Sequence, residues 1–83
     1  MQYQLSKHAA KVLEERQILI AWLEQTLSFS ELTLPDPHDT EAERRFRKIP
    51  ECEGRVLRVA VHVTVTPNRV VSVFFDRAMK GKL

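Results

Sequence analysis

The segment from Arg55 to Thr66 alternates in character from Leu57 onward. Leu57, Val59, Val61, Val63 and Val65 fall on one side, and Arg58, Ala60, His62, Thr64 and Thr66 on the other. Successive side chains of an extended strand point to opposite faces, so a period of two over this length specifies a strand with one apolar face. That face must be covered by another layer. Pro67-Asn68 supplies a turn, and Val70 to Phe75 is rich enough in β-branched and aromatic residues to return as a second strand. The two read as an antiparallel hairpin. A two-residue loop would set Val61 opposite Phe74 and His62 opposite Val73, and a slip of one residue would swap the faces of the second strand.

The covering layer is read from the N-terminal part. Residues 2–5 alternate briefly and suit a short strand, after which Ser6 offers a hydroxyl to the orphan amides of a helix start. Ala9, Val12, Leu13 and Arg16 recur at helical spacing over 7–16, and Ile18, Leu19, Leu23 and Leu27 continue it over 18–28, with Trp22 adding apolar surface. No glycine or proline separates the two segments, so the spacing fits either a hinge near Gln17 or one bent helix. Thr33 to Thr40, with Pro35 and Pro37, reads as a loop. Ala42 to Ile49 reads as a strand, although ERRFRK also suits a helix, and Glu51 to Gly54 reads as a turn. The fold expected is α+β: two N-terminal helical segments packed on an antiparallel sheet of three to four strands, residues 1–83 forming a single domain.

At 83 residues, 43% apolar and 29% charged, the composition is that of a small globular domain rather than a disordered chain. One cysteine, Cys52, excludes an internal disulfide and a multi-cysteine zinc site. There is no HxxxH, no CxxC, no glycine-rich phosphate loop and no glycine-flanked serine, so neither metal nor cofactor is expected. The opening MQYQLSKHAA lacks the apolar core of a signal peptide, and no apolar run approaches the ~20 residues of a membrane span. The expected location is the cytoplasm, with no membrane partner.

The net charge of +2 conceals a polarity. Residues 1–43 carry three Lys/Arg against eight acids, a net −5, and residues 44–83 carry ten against three, a net +7. Such a chain can steer an anionic partner to one side, or simply coat two solvated faces.

Three segments, QLSKHAAKVLEERQI, GRVLRVAV and VVSVFFDRAMKG, resemble a bacterial family of small domains of unknown function. The resemblance runs from about Leu5 to Lys80 and rests on His8-Ala9, Glu15-Arg16 and Leu57-Arg58-Val59. The chain departs from the family pattern at Gln17, where glycine is usual, and at Val12-Leu13, where Arg-Met is common. The family is grouped with toxin-like proteins of the RelE and BrnT type. The grouping implies a helices-then-sheet layout, action on RNA, and a cognate antitoxin-like protein as a partner. The RelE-type catalytic set often includes a C-terminal tyrosine, whereas the sole tyrosine here is Tyr3.

Metal-free RNA cleavage needs a base for a ribose hydroxyl, cations around the developing phosphorane and an acid for the leaving oxygen. Candidates for the catalytic positions are His8, in the first turn of the capped helix, and Arg58 with His62, two residues apart on the strand face away from the valines. Candidates for binding nucleic acid are Arg16, eight residues after His8 and on a similar helical face, and Arg45, Arg47 and Lys48 around Phe46. Each has a structural alternative. His8 can tie the helix to the sheet, Arg16 can cap carbonyls, Arg58 and His62 can belong to a solvated β face, and Phe46 can enter the core. The competing function is a non-catalytic domain that binds protein through Trp22 or an exposed strand edge.

Overall fold

The computed structural model describes residues 2–83. Along the chain it forms β1 (Tyr3–Leu5), α1 (Lys7–Glu15), α2 (Ile20–Ser28), β2 (Leu32–Asp36), β3 (Asp39–Ile49), β4 (Arg55–His62) and β5 (Asn68–Phe75). Short 3₁₀ turns follow β3 (Pro50–Cys52) and β5 (Arg77–Met79). The strands make one sheet in the order β1-β5-β4-β3-β2. The α+β class and the helices-on-sheet layout are those expected from sequence, with more strands. The sheet has five, and it is mixed, because β1 runs parallel to β5 while the other pairs are antiparallel. A chain that leaves β1 through two helices crosses the sheet before returning, which allows a parallel neighbour.

Leu57, Val59 and Val61 are fully buried and join Val70, Val73 and Ile49 beneath Ala9, Leu13, Ile18, Leu23 and Leu27 of the helical layer. The alternation stops paying out there. β4 ends at His62, and Val63 and Val65 stand 39% and 40% exposed in the loop that follows. That loop is five residues long, and a bulge falls between Ala60 and Val61, so Val61 faces Val70 and His62 faces Arg69 instead of the partners expected from a two-residue turn. The Pro35 segment expected as a loop is the edge strand β2, turning into β3 through residues 37–38. An edge position tolerates proline because its missing amide faces no neighbour.

Ser6 caps α1 as its side chain implied: its hydroxyl accepts from the Ala9 amide at 3.0 Å. The helix ends in a Schellman motif. The Ile18 amide donates to Leu13 O at 2.9 Å and the Gln17 amide to Glu14 O at 3.3 Å, with Gln17 left-handed at φ 54°. Leu13 and Ile18 both enter the core, the apolar contact that usually accompanies this cap. The segment 7–28 is therefore two helices broken at Gln17. α2 has no basic residue in its last turn, and β3 supplies the missing cations. Arg45 donates to Leu27 O at 3.1 Å and Arg47 to Phe29 O at 2.9 Å.

Candidate functional site

Among the described residues β1 pairs only with Asn68–Val70, so beyond Val70 none of their strands lies outside β5. α1 passes over this stretch, and the space between them is a groove of about 570 Å³ lined in part by His8, Val12, Arg16, Arg55, Phe75 and Arg77. His8, Val12 and Arg16 are spaced i, i+4, i+8 and form one stripe of α1. The Schellman turn fixes where that stripe ends, bringing Arg16 and Ile18 down to the wall. Opposite them stand Arg55, the first residue of β4, and Arg77, in the 3₁₀ turn after β5. Among the described residues, three guanidinium groups and an imidazole line the groove and no carboxylate does.

The floor is aromatic. Phe75 meets Trp22 edge to face at 6.2 Å, and the Arg55 guanidinium lies 4.1 Å above its ring. A second hollow of about 270 Å³ adjoins, lined by Arg55, Phe75, Asp76, Arg77 and Lys80. Its carboxylate is already engaged: Asp76 accepts from Arg58 at 3.1 Å and from the Ala78 amide at 2.9 Å. Cations from both charge halves of the sequence thus meet at one end of the sheet. Low-dielectric walls around unpaired cations concentrate a positive potential there.

The face away from the helices is built differently. Ala42, Phe46, Val56 and Ala60 are buried outside the main cluster, and three basic side chains around them meet carboxylates. Arg58 pairs with Asp76 and lies 4.0 Å over Phe74, Arg44 pairs with Asp36 at 3.2 Å, and His62 meets Asp39 at 2.6 Å. Partial burial and then the nearby Arg44 charge lower the Arg58 guanidinium from its usual value, against the pull of Asp76 and Asp36. The Asp36 carboxyl is held below its ordinary range chiefly by the His38 amide and also by Arg44. Asp39 is lowered chiefly by its hydrogen bond with His62, then by the Glu41 amide.

The residues singled out from sequence therefore separate. His8 and Arg16 share the groove. Arg58 and His62 lie on the opposite face, each against a carboxylate. Arg45 and Arg47 hold α2, Phe46 is 3% exposed, and Lys48 remains exposed beside Glu31, whose carboxylate accepts the Lys48 amide at 2.8 Å. Trp22 is half-buried against Phe75. Sequence reasoning passed over Arg55, Phe75 and Arg77. Arg55 has the parity of Leu57 and so the helix-side face, which was the available signal. Arg77 gave none, since its place depends on a turn set by Asp76.

Among the described residues no group of three or more His, Cys, Asp or Glu is placed to hold a metal ion, and no helix is long and apolar enough to cross a membrane. A family model described as a domain of unknown function, DUF4258, matches residues 5–75, and the chain belongs to that family. No curated protein and no solved structure matches it. His8, Arg16, Arg55 and Phe75 fall inside the matched span, and Arg77 lies two residues beyond it.

Proposed function

We propose that this is a toxin-like, RNA-binding domain whose binding site is the groove between α1 and β5. One observation carries the reading: Arg16, Arg55 and Arg77 converge with His8 on a groove that no carboxylate lines among the described residues. A polyanion is the partner that such a site suits, because each neutralised phosphate releases condensed counterions. The aromatic floor adds apolar surface that a free inorganic anion would not use. Arg58 and His62 belong to the scaffold in this reading, Arg58 paired with Asp76 and the His62 ring hydrogen-bonded to Asp39.

His8 gives the groove a side chain able to take a proton from a ribose 2′-hydroxyl as its oxygen attacks phosphorus, with the guanidinium groups stabilising the negative charge on the non-bridging oxygens and water protonating the departing 5′-oxygen. Cleavage of RNA is the activity this combination would support.

The test is binding of a fluorescent oligoribonucleotide over a range of salt. Three phosphate contacts give a log–log slope of about −2 at roughly 0.7 per contact for a single strand. Arg16→Ala with Arg77→Ala should flatten it by about 1.4 while the melting midpoint stays near wild type. Lys11→Ala, an exposed cation on another face of α1, should leave it unchanged. His8→Ala should preserve binding and remove any cleavage seen on gels. A slope unaffected by the groove arginines, or no binding at low ionic strength, would overturn the reading.

A further inference from the structure

Phe74 and Phe75 are consecutive on β5, and each carries a guanidinium on its ring, Arg58 at 4.0 Å and Arg55 at 4.1 Å. The two covers differ in how they are held. Arg58 also donates to Asp76 at 3.1 Å, and both side chains of that pair are mostly buried. Arg55 is exposed, and among the described residues no carboxylate pairs with it. Lifting Arg58 would strand a half-buried carboxylate. Lifting Arg55 gives up one exposed cation–π contact.

We infer that Phe75 is a stacking platform for a nucleobase, covered by Arg55 in the free protein, and that the groove takes single-stranded RNA with an unpaired base in preference to duplex. The inference rests on the RNA reading of the groove and specifies its substrate. Magnitudes favour the exchange. An exposed cation–π contact is worth roughly 2- to 5-fold in an equilibrium. A base stacked on an aromatic ring is worth roughly 5- to 150-fold. Paired bases have both π-faces covered by their neighbours, so only a splayed base can reach a ring on a groove floor. Arg55, Phe75 and Arg77 line both hollows. A displaced Arg55 therefore stays beside the base, where it can meet the adjoining phosphate together with Arg77 and Lys80.

Trp22, the sole tryptophan, touches the Phe75 ring and reports on it. Trp22 emission and polarisation would be followed with an eight-nucleotide single-stranded RNA, the same strand with one central abasic site, and a blunt RNA hairpin. The single strand should bind at least tenfold more tightly than the hairpin and change Trp22 emission, and the abasic strand should lose roughly 5- to 150-fold. Phe75→Leu should cost a similar factor for the single strand only, with the salt slope unchanged. The abasic arm uses the wild-type chain and decides the matter even if Phe75→Leu fails to fold. Equal binding of all three RNAs, with Arg16→Ala and Arg77→Ala still flattening the slope, would overturn the platform and leave the phosphate groove standing. No binding by any of them would defeat both.

Discussion

Arg55 and Arg58 leave the same strand three residues apart and meet different neighbours. Arg58 finds Asp76, eighteen residues on, and is neutralised on the face away from the helices. Arg55 lies over an aromatic ring on the helix side and, among the described residues, pairs with no carboxylate. The alternation of β4 told which face each would take, but not which acids return to meet it. The pairs Arg44–Asp36, Arg58–Asp76 and His62–Asp39 depend on loop ends that the pattern leaves undefined. For that reason Arg58 and His62 read from sequence as an open anion site. These carboxylates make a pH dependence whose sign is fixed. Asp36 and Asp39 sit below the ordinary value of 3.8 when folded, so the unfolded chain takes up protons first as pH falls. Their contribution is complete above about pH 5 and is lost from there down through the depressed folded values. Urea unfolding between pH 6 and pH 2 should show wild-type stability declining most steeply below pH 4. Asp36→Asn with Asp39→Asn should start lower at pH 6 and decline less. Parallel curves would show that the pairs add nothing.

Among the elements, α1 is the one that both folds the domain and shapes the groove. The Ser6 cap and the apolar positions Ala9, Leu13 and Ile18 were legible, since a capping hydroxyl and apolar spacing are local signals, whereas the Leu13–Ile18 contact was not. The break at Gln17 was legible only as one of two choices, because glutamine is an unusual residue for a left-handed C′ position. The glycine usual there in the resembling family is what that backbone favours. Gln17→Gly removes about 1–2 kcal/mol of left-handed strain, offset in part by about 0.5–1 kcal/mol of added unfolded-state freedom. A net gain of about 0.5–1 kcal/mol should raise the melting midpoint by roughly 4 °C in a domain of this size. A lowered midpoint would mean that the Gln17 side chain contributes more than its backbone strain costs. β2 was missed for the converse reason: Pro35 is a loop signal unless the strand lies at an edge, and edge position is a property of the sheet.

At the scale of the molecule, the sheet has one face where Arg44, Arg58 and His62 meet carboxylates, and a groove end where Arg16, Arg55 and Arg77 pair with none among the described residues. The division by sequence into acidic and basic halves does not predict it. His8 and Arg16 come from the acidic half and Arg55 and Arg77 from the basic one, joined only because α1 lies across the free edge of β5. What the sequence conveyed was the layered α+β arrangement and the shared helical face of His8 and Arg16. The far wall of the groove required the topology. The most direct measurement is a two-dimensional ¹H–¹⁵N NMR titration of the folded chain with a single-stranded oligoribonucleotide at low salt. Amide shifts are expected at His8, Val12, Arg16, Arg55, Phe75 and Arg77, with Arg44, Phe46 and His62 still. Shifts confined to Arg44, Arg58 and His62, or none at all, would contradict the assignment of the groove as the RNA site.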